Sequence, residues 1–102
     1  MDLLVVGGSG FLGREVTRQA RIAGTRVAAT FHSHPLPVAG VDWQALDIRR
    51  RGDVTALVER IRPAVVINTA YRQADWVTTA DGGMHVAAAA AAVGARLVHV
   101  SS

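Results

Sequence analysis

A short apolar run that breaks into glycines and then into a helical repeat limits this chain more than any other feature. Leu3-Leu4-Val5-Val6 has no polar face, which suits a strand covered on both sides. Gly7-Gly8-Ser9-Gly10-Phe11-Leu12-Gly13 follows at once. Leu12, Val16, Ala20 and Ala23 then recur at helical spacing up to a stop at Gly24. Strand, glycine-rich turn and helix in that order form the first half of a crossover between parallel strands.

The remaining sequence repeats the alternation. Arg26-Val27-Ala28-Ala29-Thr30 reads as a second strand, and the two prolines and two histidines between Phe31 and Gly40 read as loop. Val41 to Leu46 is a short third strand. Asp53 is the expected N-cap of a helix on which Val54, Leu57, Val58 and Ile61 fall on one face, with Pro63 as its stop. Ala64-Val65-Val66-Ile67 is a fourth strand. Met84 to Val93 carries six consecutive alanines and predicts a helix, with Thr78 to Gly82 ahead of it, and Arg96 to Val100 is a fifth strand. Right-handed crossovers then give a Rossmann-type, doubly wound parallel α/β sheet of five strands in the order 3-2-1-4-5.

Composition narrows the chemistry. At 102 residues there is room for one domain, and 50% apolar with 19% charged residues is globular composition. Cysteine is absent, which removes disulfides and thiolate chemistry. All eleven basic residues are Arg, so no lysine is present for Schiff-base chemistry. A net charge of +3 is mild. Neither a leader peptide nor an apolar stretch approaching the ~20 residues of a membrane span is visible, so a soluble cytoplasmic protein is expected.

The glycine loop is the strongest chemical signal. In its G-x-x-G-x-x-G spacing, Gly7 allows a tight turn, Gly10 lets a pyrophosphate approach the backbone, and Gly13 permits close helix packing. The helix N-terminus behind it favours an anion. The second strand ends Thr30-Phe31-His32-Ser33 without the acid that would grip a ribose 2′-hydroxyl, which leans the cofactor from NAD towards NADP. Arg14 either neutralises a 2′-phosphate or is a solvated helix residue.

Four ordered landmarks resemble the extended short-chain dehydrogenase/reductase superfamily, most closely the dTDP-4-dehydrorhamnose reductases. They are the glycine loop; Leu46-Asp47-Ile48; Pro63 through Asn68-Thr69-Ala70-Tyr71; and Gly94 through Val100-Ser101-Ser102. The resemblance implies that Gly10, Phe11 and Leu12 lie against the pyrophosphate. It implies that Asp47 accepts from the adenine amino group with Ile48 on the ring, where a β–α loop cap is the plainer reading of Asp47. Thr69, Ala70 and Tyr71 would line the nicotinamide ribose, and Asn68 is either part of that end or a satisfied strand-end amide. Ser102, or else Ser101, would hydrogen-bond the substrate carbonyl.

The family's Tyr-x-x-x-Lys pair has no counterpart in these residues, and Thr79 stands where relatives carry Asn. Residues 1–102 are therefore expected to be the NAD(P)-binding N-terminal piece of a longer oxidoreductase acting on a nucleotide-sugar ketone, with the substrate domain absent. The alternative is a catalytically inactive regulatory or sensor module of the same fold. The expected partners are a dinucleotide and, in the full-length protein, a sugar nucleotide. Nucleic acid and membrane are not expected, and a homo-oligomer is left open. No metal site is expected: His32 and His34 read as loop. Arg49-Arg50-Arg51 reads as solvated surface, His85 and His99 as structural, and Trp43 and Trp76 as packing residues.

Overall fold

A computed structural model describes residues 1–8, 10–36, 38–69 and 76–100, with side chains in the last stretch from Ala80 onward. In chain order the elements are β1 (Leu3–Val6), α1 (Phe11–Ile22), β2 (Val27–Phe31), β3 (Val41–Ala45), α2 (Arg51–Ile61), β4 (Val65–Asn68), α3 (Trp76–Ala92) and β5 (Arg96–His99). The strands form one parallel sheet in the order β3-β2-β1-β4-β5, the predicted order.

Strand alternation divides the core between the two faces. Leu4 and Val6 of β1 point to the side covered by α2 and α3, where Val54, Leu57, Val58, Val86, Ala89 and Ala90 are buried with Ala28 and Val66. Leu3 and Val5 point to the opposite side with Val27 and Ala29, against Val16 and Ala20 of α1. All four β1 residues are buried, each contributing about 1.5–3 kcal/mol relative to exposure, which is how so short a strand holds the centre. The register runs Trp43, Ala29, Val5, Ile67, Val98 across the sheet. α1 packs on β1 and β2, and at the far end of the row Val98 is 44% exposed.

The starts of α2 and α3 differ most from the predicted ones. α2 begins at Arg51 with Arg50 as its N-cap, so Asp53 sits inside the first turn instead of capping it. The displacement comes from a tight turn at Asp47, whose carbonyl accepts from the Arg50 N–H at 3.0 Å and delivers the chain into the helix early. Asp53 still favours the positive end of the helix. α3 begins at Trp76, eight residues before the predicted Met84, and runs through Thr78 to Gly83. Its backbone lies close to the turn after β3 and to β5. A Cβ at Gly82 would collide with Ile48, and one at Gly83 would stand 3.3 Å from the His99 ring. Strand ends move by one residue, β2 and β4 each starting and ending one later than predicted.

α2 stops one residue earlier than Pro63 itself demands. Arg62 is left-handed at φ 46, ψ 60, and its N–H donates to the Val58 carbonyl at 2.8 Å. That conformation suits glycine better than arginine. Arg62→Gly is expected to raise stability by about 0.5–1 kcal/mol, the relieved strain exceeding glycine's added chain entropy. Urea unfolding checks this, and an unchanged or lowered midpoint contradicts it. No helix among the described residues is long and apolar enough to cross a membrane.

Candidate functional site

The glycine loop is held at the carboxyl end of the sheet by a threonine on each side. From β2, Thr30 is buried and accepts the Gly7 N–H on its hydroxyl at 2.9 Å and the Gly8 N–H on its carbonyl at 2.8 Å. From the end of β4, the Thr69 hydroxyl lies 2.8 Å from the Val6 carbonyl and 3.1 Å from that of Gly7, sharing its one proton between them. Behind the loop, Thr17 of α1 donates to the Gly13 carbonyl at 2.7 Å. These anchors fix the loop from three elements before any ligand arrives.

The glycines divide by what surrounds them. Gly7 has φ 83 and makes the turn, accepting the Gly10 N–H at 3.1 Å. A Cβ at Gly13 would run into the Gly7 carbonyl and within 2.7 Å of the Thr69 hydroxyl, so α1 can approach the loop only through a glycine. Gly8, to which the sequence assigned no role, packs on the sheet: a Cβ there would lie 2.7 Å from Ala29 Cβ and 3.3 Å from Trp43. Gly10 is different. Its φ of −75 and ψ of 172 are open to any residue, and among the described residues a Cβ would meet only the Gly7 carbonyl, at 3.4 Å. Its freedom from a side chain serves the space outside the protein.

That outer space is suited to an anion. The backbone N–H groups of Phe11, Leu12 and Gly13 open α1 without intrahelical partners, the first helical bond being that from the Arg14 N–H to the Gly10 carbonyl at 2.8 Å, and no acid stands in the first turn to compete for them. Phe11 is 96% exposed at the mouth of the loop, Leu12 is 44% exposed, and Arg14 is exposed within the same turn. The fit to a dinucleotide pyrophosphate rests on these groups and on the empty face of Gly10.

Asp47 and Ile48 occupy the turn after β3. Asp47 Oδ1 accepts from the Arg49 N–H at 3.0 Å, and its Oδ2 from the Arg49 guanidinium at 2.7 Å. The carboxylate thus does cap the β–α turn. The Arg49 guanidinium holds it well below the usual carboxylate range, against a smaller opposing effect of burial. A carboxylate depressed in this way contributes stability that is lost as pH falls through its folded value. The Asp47 resonance followed by NMR is expected to titrate below the ordinary carboxylate range and to return towards it in Arg49→Ala. An ordinary titration in the unsubstituted protein would refute the pairing.

Ile48 is buried beneath Gly82, its side chain committed to the core. His32 follows β2, with Nε2 at 4.0 Å from Asp47 Oδ2 and no carboxylate at the strand tip itself. An open groove of about 620 Å³ runs along the outer edge of β3 past Gln44, Arg50, Asp53 and Arg60, and meets this site at His32 and Asp47. At the other end, Asn68 is buried and its Nδ2 donates to His99 Nδ1 at 3.3 Å, which makes it a satisfied strand-end amide. Thr69 turns its hydroxyl to the glycine loop. Ala70, Tyr71, Ser101 and Ser102 lie outside the described residues, as does the Thr79 side chain.

The structure therefore gathers Gly7, Gly10, Gly13, Asp47, Asn68 and Thr69 at the carboxyl edge of one sheet. Thr30 and Thr69, the loop's anchors, carried no local signal for that role. Their partners are 23 and 62–63 residues away.

The family model for the RmlD substrate binding domain matches residues 1–102. A dTDP-4-dehydrorhamnose reductase from Streptomyces griseus is 35% identical over 109 aligned positions, covering 97% of this chain and 32% of that protein. Among solved structures, UDP-glucose 4-epimerase from Thermotoga maritima superposes with a TM-score of 0.89 at 19% identity, over 100% of this chain and 38% of its own. UDP-glucose 4-epimerase from Thermus thermophilus, in complex with NAD, gives 0.81 at 25% identity, over 95% and 36%. The chain spans about a third of the length of these relatives.

Proposed function

Because the chain belongs to the RmlD substrate binding domain family, within the NAD-dependent epimerase/dehydratase superfamily, we propose that it is the cofactor-binding portion of an NAD(P)-dependent reductase of nucleotide-sugar ketones. One observation carries this reading: a glycine loop pinned by Thr30 and Thr69 turns the open face of Gly10 and the acid-free first turn of α1 outwards together. Gly10, Phe11 and Leu12 hold the pyrophosphate through backbone N–H groups. Asp47 accepts from the adenine amino group, and Thr69, Ala70 and Tyr71 line the nicotinamide ribose beside Asn68. Ser102 hydrogen-bonds the substrate carbonyl and orients it.

The nicotinamide, when bound, supplies the hydride. The residues of this chain bind it, orient it and exclude water from one side. NADP is favoured over NAD because His32 and Ser33 stand at the tip of β2, where an acid would repel a 2′-phosphate. Identity to the Streptomyces griseus enzyme supports reduction of a dTDP-linked 4-keto sugar.

The similarity in fold to the epimerases supports a second reading, in which the sugar is inverted and the cofactor is regenerated in each turnover. Calorimetry with NADH and NADPH, followed by turnover of the full-length protein on dTDP-4-dehydro sugars and UDP-sugars, separates them. Stoichiometric loss of reduced nicotinamide absorbance is the expected result. Interconversion of UDP-sugars without net loss favours the epimerase, and failure to bind either dinucleotide rejects both.

A further inference from the structure

α3 closes on the turn that carries Asp47 through two residues. The helix backbone at Gly82 lies directly on the Ile48 side chain, with no room for a Cβ. One turn on, the part-buried His85 places Nδ1 2.8 Å from the Ile48 carbonyl oxygen. A carbonyl only accepts, so Nδ1 carries the proton, and in the neutral ring Nε2 is left as the acceptor.

The bond matters because of what lies across the same peptide unit. The carbonyl of Ile48 and the N–H of Arg49 belong to one rigid plane and point in opposite directions. His85 holds the carbonyl end at 2.8 Å, and the N–H end donates to Asp47 Oδ1 at 3.0 Å. Rotation of this plane would therefore break both bonds at once. α3 fixes the plane, and the plane, together with the Arg49 guanidinium, fixes the carboxylate.

We infer that His85 is a positioning residue that sets the Asp47 carboxylate for the adenine end of the dinucleotide through the Ile48–Arg49 peptide plane. The inference rests on the cofactor reading above. Removing the donor leaves a part-buried carbonyl without its partner, and the plane turns to find water. The carboxylate then loses a backbone donor and samples other orientations. Adenine recognition weakens while the far end of the cofactor site, built on Asn68 and Thr69, is untouched.

Three substitutions test this in the purified protein. His85→Asn puts its Nδ2 the same number of bonds from the backbone as the histidine Nδ1. His85→Gln puts a nitrogen one atom further out, and His85→Leu fills the space without a donor. AMP and nicotinamide mononucleotide are titrated separately by calorimetry, and the Asp47 carboxyl is titrated by NMR without ligand. His85→Leu is expected to weaken AMP about tenfold while changing the nicotinamide mononucleotide by less than about twofold. The Asp47 titration should move up in the same variant. His85→Asn restores both, and His85→Gln does not.

A His85→Leu protein with unchanged AMP affinity and unchanged Asp47 titration, beside a parent that binds AMP, overturns the inference alone. Equal weakening of both half-cofactors, with no rescue by His85→Asn, shows a merely structural role and also overturns it. A parent protein that binds neither half nor any dinucleotide overturns the cofactor reading, and this inference with it.

Discussion

Gly10→Val is expected to leave the protein folded and to weaken dinucleotide binding by at least about 100-fold. The fold tolerates it because, among the described residues, little occupies the place of the new side chain. The residue already has the extended backbone that valine prefers, and a Cβ would meet a single carbonyl at 3.4 Å. The cost should be about 1 kcal/mol or less, the ordinary penalty of an apolar residue in place of glycine at an N-cap. Binding suffers because the branched side chain fills the face through which the pyrophosphate reaches the first-turn N–H groups of α1. Charge-assisted bonds of this kind are lost together when approach is blocked. Calorimetry with NADPH and a urea titration on the same sample give both numbers. Undiminished affinity in a folded variant would place the dinucleotide elsewhere.

Much of the architecture was legible because its signals are local. Leu3 to Val6 and Ala64 to Ile67 are continuous apolar runs bounded by glycine or proline, and both became central strands. Strand order followed from alternation with helices and the fixed hand of the crossovers. The start of α3 was not legible, for a physical reason. Thr78, Thr79, Asp81, Gly82 and Gly83 are poor helix formers, and local propensity argues against them. The helix extends through them because the missing side chain of Gly82 lets its backbone rest on Ile48, with Gly83 close beside His99. Asp53 misled in a similar way. It is an excellent N-cap by type, but the Asp47 turn delivers the chain three residues early, at Arg50.

The candidate site was legible in its motif and not in its supports. The spacing of Gly7, Gly10 and Gly13 marks a phosphate-type loop from sequence alone. That Thr30 and Thr69 hold it, that Gly8 must be small because Ala29 and Trp43 lie beneath it, and that His85 reaches Ile48 are all long-range facts. Each joins residues between 21 and 63 positions apart and leaves no periodic trace. One consequence is that the loop's glycines look alike in sequence and should behave very differently when replaced.

Gly13→Ala is the opposite case to Gly10→Val, a smaller change with a larger effect on the fold. Within a helix, alanine for glycine ordinarily stabilises by about 1 kcal/mol. Gly52, near the start of α2, has open space where its Cβ would go, and Gly52→Ala should show that gain or part of it. At Gly13 the new methyl would run into the Gly7 carbonyl and stand 2.7 Å from the Thr69 hydroxyl. The obstacle is backbone already held by the Thr30 and Thr69 anchors, so it has no rotamer by which to move aside. Either α1 lifts from the sheet or the loop gives up the Thr69 bonds. Overpacking and lost hydrogen bonds together should cost about 2–4 kcal/mol, which outweighs the helical gain and reverses its sign. Urea unfolding of the two alanine variants side by side decides the matter. If both are stabilised, α1 is not held against the loop, and Gly13 is glycine for some reason other than close approach.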